Sequence, residues 1–432
     1  MPQELIQLNS RRTVTRVFLI LTIGLAVFWC YFVLQWYLGN TMAEYFDTAE
    51  NSVDKAKLAS SLAPNDPLTH WRLGTVYQQK LTPDQSALIV AEYEKAVSLS
   101  PNDYRFWMSL GIALEQAGDV GRGERALRKS VELAPSYAWP RWYLGNLLLR
   151  SGRYNEAFSD LQFAAQSDSE LKPQLFRLAI EIYGNDIAAL KVAIGDDPTA
   201  KSEFALYLLQ QNRVEDGLVI WNSLSDSQKK DQQTGANALI TSLIGLNRFH
   251  DAMKIWNSVA PSDAFKADLG HVVDGGFEET ISHSKDTPFG WQVNAAPQMQ
   301  IGIDPQKAHN GMRSLRLVFQ VRARLDFLDA YELVPVAPST QYEFECYVRT
   351  EKLQSGDTPF VQILNASDQS VLASSSEAPN GDSDWNRTSV SFKTGDKTEA
   401  IKIHLARTPC EKDKICPIFG AVWYDDFSIK RQ

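Results

Sequence analysis

The middle of the chain repeats itself with a period of about 34 residues. Two glycines and two prolines recur at this distance, and each glycine follows its proline by ten residues. The residues of the three clearest repeats are Pro64 and Gly74, Pro101 and Gly111, and Pro135 and Gly145. A helix interior disfavours proline, whereas glycine allows a neighbouring helix to come close. The spacing therefore predicts stacked helix pairs, in which glycine lies at the contact and proline ends each pair.

Around each glycine stands a similar octapeptide: H-W-R-L-G-T-V-Y at His70–Tyr77, W-M-S-L-G-I-A-L at Trp107–Leu114 and R-W-Y-L-G-N-L-L at Arg141–Leu148. This pattern resembles the tetratricopeptide repeat family. The resemblance implies a groove lined by the first helix of each pair, which binds a protein partner. Trp107 is expected in the core, while Trp71 and Trp142 face either the groove or the neighbouring repeat. The implied groove residues are Trp71, Gln78, Arg105, Met108, Glu115, Trp142, Asn146 and Arg150.

The repeats continue in a weaker form towards residue 267. The segment Arg213–Ser223 matches the later segment Arg248–Ser258, and both predict second helices. First helices are expected at Ser202–Gln211 and Gly235–Leu246. The phase is uncertain between Ser167 and Pro198, so five or six helix pairs are expected. The longer first repeat indicates an insertion near Thr82–Ser86.

Val17–Leu38 is a run of 22 residues without a charge. As a helix it would measure roughly 33 Å, enough to cross a hydrocarbon core of about 30 Å. Arg11, Arg12 and Arg16 precede it and acidic residues follow, which predicts a cytoplasmic N-terminus and a periplasmic or extracytoplasmic bulk. The alternative, a cleaved signal peptide, would have a shorter apolar region and a small-residue cleavage site. A single-pass anchor in the inner membrane is therefore expected.

After about residue 267 the helical period gives way to alternation. In segments such as Tyr342–Val348 and Ala400–Leu405, apolar and polar residues alternate, as is typical of half-buried strands. Turn residues separate these segments. About nine short strands predict an antiparallel sandwich. The expected organisation is a tail at 1–16, a transmembrane helix at 17–38, all-α repeats at 39–267 and an all-β sandwich at 268–432.

The ends of this last region contain more specific sequence motifs. Val273-Asp-Gly-Gly-Phe-Glu opens it, Phe289-Gly-Trp and Ala308-His-Asn-Gly follow, and Val422-Trp-Tyr-Asp-Asp-Phe closes it. The combination resembles the galactose-binding-like jelly rolls, in particular carbohydrate-binding modules. The resemblance implies one structural calcium ion held by Glu278 and by Asp425 or Asp426, with backbone oxygens near His309–Ser314. Alternatively, these carboxylates bond loop amides.

Sugar binding would need exposed aromatic rings in the sandwich. The candidates are Tyr331, Tyr342, Tyr347 and Trp385. Trp291 is expected beneath the sheet, as the resemblance implies. Cys410 and Cys416 could close a short loop as a disulfide in an oxidising compartment.

Charge and motifs limit the function classes. The formal net charge of -9 argues against nucleic-acid binding. No nucleophile elbow, phosphate loop, dinucleotide fingerprint or zinc-protease motif is present, so no enzyme is expected and no cofactor beyond calcium. The favoured hypothesis is a non-catalytic membrane scaffold in cell-envelope polysaccharide or exopolysaccharide assembly, binding a protein and possibly a glycan. A pure protein adaptor with a structural jelly roll is the alternative; a glycan-processing enzyme is a third.

Overall fold

A computed structural model describes residues 13–45, 52–80, 85–279, 287–293, 299–321, 330–408 and 416–432. These residues form an N-terminal apolar helix, a helical repeat region and a β-sandwich, which confirms the expected fold class. The chain forms two compact units, Met1–Gly195 and Asp196–Gln432. The expected change of secondary structure near residue 267 therefore falls inside the second unit.

The helices of the first unit are α1 Thr13–Glu44, α2 Ser52–Leu62, α3 Pro67–Gln79, α4 Ser86–Leu99, α5 Tyr104–Gln116, α6 Val120–Leu133, α7 Ala138–Arg150, α8 Tyr154–Ser167, α9 Lys172–Tyr183 and α10 Ile187–Ile194. Those of the second unit are α11 Pro198–Gln210, α12 Val214–Trp221, α13 Asp226–Asp231, α14 Gln233–Gly245 and α15 Phe249–Val259. Within the described part of the chain, six pairs from α3/α4 to α14/α15 are the predicted repeats, and α13 is an extra short helix. Most of the insertion expected at Thr82–Ser86 lies outside the described residues.

The repeat glycines lie where the paired helices touch. A methyl group added to Gly145 on α7 would lie 2.7 Å from Leu161 Cγ and 3.0 Å from the Ala157 carbonyl oxygen on α8. The same addition to Gly111 would lie 2.6 Å from Leu127 Cγ on α6. Both distances are shorter than packed atoms tolerate, so glycine sets the separation of the helices, as predicted.

The N-terminal apolar segment is part of the longest helix. α1 contains a window of mean hydropathy 2.6 with no buried residue, and it is long and apolar enough to cross a membrane. Large apolar side chains from Val14 to Leu38 are exposed. Arg11 and Arg12 lie outside the described residues.

The sandwich of the second unit consists of two antiparallel five-stranded sheets. Their strand orders are β1-β4-β9-β6-β7 and β2-β3-β10-β5-β8. The strands are β1 Gln292–Val293, β2 Met299–Asp304, β3 Ser314–Val321, β4 Ala330–Pro335, β5 Gln341–Ser355, β6 Phe360–Asn365, β7 Val371–Ser374, β8 Gly381–Lys393, β9 Ala400–Ala406 and β10 Ile418–Arg431. Alternate residues of both sheets, such as Phe344, Ile363, Ile403 and Val422, are buried between them.

The last helix is bonded to the sandwich. The His250 backbone N–H donates to Glu399 Oε2 at 3.1 Å, and His250 Nε2 donates to the Val336 carbonyl at 2.9 Å. Trp256 Nε1 donates to the Phe265 carbonyl just beyond α15. The helix pairs α11/α12 and α14/α15 therefore belong to the same compact unit as the sheets.

We expect one chemical change, Gly to Ala, to have opposite effects at two positions. Gly145→Ala should destabilise the repeats by about 1–3 kcal/mol, because the added methyl group overlaps Leu161 and the α8 backbone. Gly121→Ala on α6 should be neutral or stabilising by up to about 1 kcal/mol, because the nearest atom lies 3.9 Å away. Thermal unfolding of the detergent-solubilised chain, followed by circular dichroism, compares the two variants. Equal unfolding temperatures would contradict the close-contact role of Gly145.

Candidate functional sites

A groove crosses the first helices of three successive repeats in the first unit. Its walls come from α5, α7 and α9, which lie side by side because each is followed by a returning second helix. The residues lining it are Ile112, Glu115, Gln116, Trp142, Tyr143, Asn146, Arg150, Gln174, Arg177 and Leu178. Glu115, Trp142, Asn146 and Arg150 were predicted for the groove.

The groove carries two exposed guanidinium groups. Arg150 forms a two-point contact with Glu115, from Nε to Oε1 at 2.7 Å and from Nη2 to Oε2 at 2.8 Å. The Arg150 side chain is nevertheless 59% exposed, whereas that of Glu115 is 16% exposed. Arg177 on α9 is 63% exposed, and its Nε lies 3.8 Å from Glu181 Oε1. Planar guanidinium groups bind carboxylates through paired hydrogen bonds, so the groove suits an acidic ligand.

Trp142 contributes less surface than predicted. Its side chain lines the groove, yet the residue is 6% exposed. The Asn146 amide donates to the Trp142 carbonyl at 2.8 Å. Trp142 therefore forms the floor of the groove rather than a free aromatic platform.

The other four predicted groove residues are not among the lining residues. Trp71 Nε1 donates to Ser109 Oγ, and the Gln78 amide donates to Gln116 Oε1, so both tie α3 to α5. Arg105 is paired with Asp103, the residue that caps the N-terminus of α5. Met108 is half-buried. Packing between repeats and helix capping account for three of these residues.

The prediction missed Gln174, Arg177 and Leu178. Phe176-Arg-Leu-Ala179 lies one full period after Trp142-Tyr-Leu-Gly145, with alanine in place of glycine. The next equivalent small residue, Ala205 on α11, follows Ala179 at less than a full period. The repeat formed by α9 and α10 is therefore shorter than the others, and its second helix α10 has 8 residues. The regular period is interrupted here, so α9 is difficult to recognise in the sequence.

In the sandwich, the opening and closing motifs meet as the resemblance implied. The Phe427 backbone N–H donates to the Gly275 carbonyl at 2.9 Å. The ring of Phe277 lies 5.6 Å from that of Phe427 and 5.0 Å from that of Trp291, which is buried as expected. Asp274, Phe277 and Asp426 all have positive φ angles, so this junction is held in a costly backbone conformation.

The carboxylates at the junction accept hydrogen bonds from loop amides. Asp425 Oδ2 accepts from the His309 and Asn310 backbone N–H groups, at 2.7 and 3.3 Å. Glu278 Oε1 accepts from Met312 and Arg313 backbone N–H groups, at 2.7 and 3.1 Å. The loop thus turns N–H groups, rather than the expected carbonyl oxygens, towards both carboxylates. This arrangement matches the alternative left open by the sequence.

Side-chain atoms of three acidic residues nevertheless lie near one point beside Gly276. A carbon atom added to Gly276 would lie 3.8 Å from Glu278 Cγ, 3.9 Å from Asp425 Oδ1 and 3.9 Å from Asp426 Oδ1. Burial raises the pKa of Asp425 to about 6, against the opposing effect of its amide hydrogen bonds. Burial likewise raises the pKa of the neighbouring Asp274 to about 6. No group of three or more His, Cys, Asp or Glu side chains in the described ranges is arranged closely enough to hold a metal ion.

Two of the predicted sugar-binding aromatics lie beside this junction. The Tyr347 ring stacks on the His309 ring at 3.6 Å, and the Trp385 ring lies edge-on to His309 at 5.8 Å. His309 Nδ1 donates to Asp426 Oδ2 at 2.6 Å, which fixes the imidazole. An open recess lies here, lined by residues that include His271, Glu345 and Tyr347. His309 was not predicted as a site side chain.

The other two aromatics do not join this cluster. Tyr342 is 2% exposed and stacks on Phe392, so its ring is in the core and offers no surface to a sugar. Tyr331 lies on β4 of the other sheet, where Lys402 Nζ lies 4.0 Å from the ring centre. The period-two pattern placed Tyr342 on a strand but did not distinguish its two faces.

The cysteines are divided between free and oxidised states. Cys30 and Cys346 are free thiols, and Cys416 is disulfide-bonded. Cys410, its predicted partner, lies outside the described residues. The Arg407 guanidinium donates to the Cys416 carbonyl at 3.2 Å and so attaches the end of this loop to the sandwich.

The described residues form a series of helix pairs followed by a C-terminal two-sheet β-sandwich. No protein-family model matches the chain. Superkiller protein 3 of Saccharomyces cerevisiae (strain ATCC 204508 / S288c) is 21% identical over 170 residues, which cover 38% of this chain and 11% of that protein.

Among solved structures, the chain is similar to MamA protein, at 16% identity and a TM-score of 0.29, covering 44% of this chain and 88% of the other. It is also similar to the CBM22-1 xylan-binding domain from Paenibacillus barcinonensis Xyn10C, at 16% identity and a TM-score of 0.25, covering 38% and 97%.

Proposed function

We propose that the chain is a non-catalytic, membrane-anchored scaffold that binds a protein partner through its repeats and a glycan through its sandwich. The observation that carries the proposal is the groove across α5, α7 and α9 with its exposed Arg150 and Arg177. Solenoids of this kind bind extended segments on the surface formed by their first helices. The two guanidinium groups favour a partner segment that bears carboxylates.

The proposed glycan contact is the Tyr347–His309–Trp385 cluster. Tyr347 and Trp385 are partly exposed, and the hydrogen bond between His309 and Asp426 holds the ring between them in place. Aromatic faces with nearby carboxylate and imidazole groups can stack on sugar rings and bond their hydroxyls. Glycan assembly or export in the cell envelope is the process that would use an adaptor with both surfaces.

Membrane anchoring is proposed through α1. The exposed apolar side chains of this helix would be costly in water and are favourable in lipid. The charges around the segment favour an inner-membrane protein with a cytoplasmic N-terminus and a periplasmic bulk. The oxidised Cys416 agrees with an oxidising compartment.

A second candidate function makes the jelly roll a protein-contact module. Trp423 points outward from β10, yet it is 1% exposed because Lys307 Nζ and Arg316 lie over its ring, at 4.2 and 5.4 Å. Around Trp423, the outer face of this sheet therefore presents charges where a sugar platform would present an aromatic ring.

Partner binding through the groove is tested by charge reversal. Arg150→Glu with Arg177→Glu should abolish the capture of proteins that the immobilised wild-type chain retains, because acidic segments would be repelled. Arg125→Glu, on the exposed surface of α6, is the control and should retain them. Identical bound proteins for all three chains, identified by mass spectrometry, would contradict the assignment of the groove.

Glycan binding is tested on an array of immobilised oligosaccharides. Tyr347→Ala and Trp385→Ala should each weaken binding about tenfold, equivalent to about 1.4 kcal/mol for one lost stacking contact. Tyr331→Ala, on the other sheet, should bind like the wild type. Absence of binding by the wild-type chain would favour the protein-contact function instead.

We further propose that calcium binds beside Gly276 with Glu278 and with Asp425 or Asp426 as ligands, once it displaces the hydrogen bonds that Glu278 and Asp425 accept from loop amides. Calcium at pH 7.5 should raise the unfolding temperature of the wild-type chain and of the Glu279→Ala control, and chelator should reverse the rise. Glu278→Ala should lose the response. The proposed calcium site would be contradicted if neither calcium nor chelator changed the unfolding temperature and elemental analysis found no metal.

A further inference from the structure

The C-terminal end of α1 has the sequence of a repeat. Trp36-Tyr-Leu-Gly-Asn40 is identical to Trp142-Tyr-Leu-Gly-Asn146, the signature of the α7/α8 pair. Pro64 follows Gly39 at nearly the same distance as Pro135 follows Gly111. This likeness is difficult to recognise in the sequence, because the residues before Trp36 are apolar and the whole segment is interpreted as one membrane span.

The contacts of Gly39 are those of a repeat glycine. A methyl group added to Gly39 would lie 2.9 Å from the Ala59 carbonyl oxygen and 2.8 Å from Ala63 Cβ on the returning α2 side. The equivalent carbonyl distances at Gly111 and Gly145 are both 3.0 Å. Ala56 and Ala59 are fully buried, so α1 and α2 pack as closely as the later pairs.

Polar contacts attach this pair to the next one. The Asn40 amide donates to Asp66 Oδ2 at 2.8 Å, and Asp66 also caps the N-terminus of α3. Arg72 Nε on α3 donates to the Ala43 carbonyl at 2.9 Å. α1 is therefore joined to the repeat array by packing and by hydrogen bonds.

The length of α1 places this junction at the edge of a bilayer. Its 32 residues measure roughly 48 Å, of which a hydrocarbon core of about 30 Å occupies about 20 residues. Counted from Val17, the span ends near Trp36, and Gly39 follows within one turn. A mainly apolar groove lies between this part of α1 and the turn Ser61–Asn65; α1 lines it with Trp29, Phe32, Val33, Gln35 and Trp36.

We propose that α1 is both the membrane anchor and the first helix of the repeat array, and that the turn Ser61–Asn65 rests in the headgroup layer of a phospholipid bilayer. Trp36 and Tyr37 are aromatic residues of the kind that favours this layer. The array then starts at the membrane surface without a flexible linker. The inference depends on the anchoring proposed above.

Depth measurements with the full chain in phosphatidylcholine–phosphatidylglycerol vesicles test the proposal. An environment-sensitive fluorophore on Asn65→Cys, in a Cys30→Ser background, should lose most of its emission to shallow nitroxide lipids. The same label on Ser136→Cys, in the equivalent turn two pairs later, should keep its emission. Equal emission at both positions would overturn the inference. The same result is expected if a helix of another protein covers the groove in place of lipid, and it would overturn the inference in that case too.

A substitution pair tests the packing independently. Gly39→Leu should abolish the hydrogen-exchange protection of α2, because the side chain overlaps Ala59 and Ala63. Gly24→Leu in the same helix should leave that protection unchanged, since nothing lies within 4 Å of its added carbon. Unaltered protection in Gly39→Leu would overturn the inference. A label on native Cys30 that is not quenched by any nitroxide lipid would instead show that anchoring itself fails.

Discussion

The close approach of paired helices at a single small residue is the contact on which the repeat array depends. Gly39, Gly111 and Gly145 each lie against a carbonyl oxygen of the returning helix. A side chain at any of these positions would separate the two helices and open the apolar surface between neighbouring pairs. Because no pair buries its apolar face alone, the groove formed by α5, α7 and α9 exists only while this spacing is kept.

The sequence predicted most of the fold. The repeat period of the helix pairs and the alternation of buried and exposed residues in the strands are each visible because many residues contribute to them. The glycine contacts, the helices α11, α12, α14 and α15 and the two-sheet sandwich follow from such patterns. The α9/α10 pair was left open as a sixth pair because Ala179 replaces glycine and the next repeat begins early. The α1/α2 pair was missed because a membrane-spanning helix and the first helix of a repeat both need apolar residues.

The sites were less predictable than the fold, because side-chain partners depend on loops that have no period. The sequence left open whether Glu278 and Asp425 hold calcium together with backbone oxygens or bond loop amides, and in the structure backbone N–H groups face them. Tyr347 and Trp385 lie in one cluster only because His309, from a distant loop, lies between their rings. Tyr342 has the same residue type and lies on the same strand as Tyr347, yet it faces the core.

The proposed adaptor would carry both surfaces on one side of a membrane, and that side decides whether it can meet envelope glycan. Protease treatment of cells with an opened outer layer, compared with sealed inverted inner-membrane vesicles, measures this directly. The account predicts digestion of everything beyond α1 in the opened cells and full protection in the inverted vesicles. Protection in the opened cells with digestion in the inverted vesicles, or recovery of the chain in the soluble fraction, would contradict it.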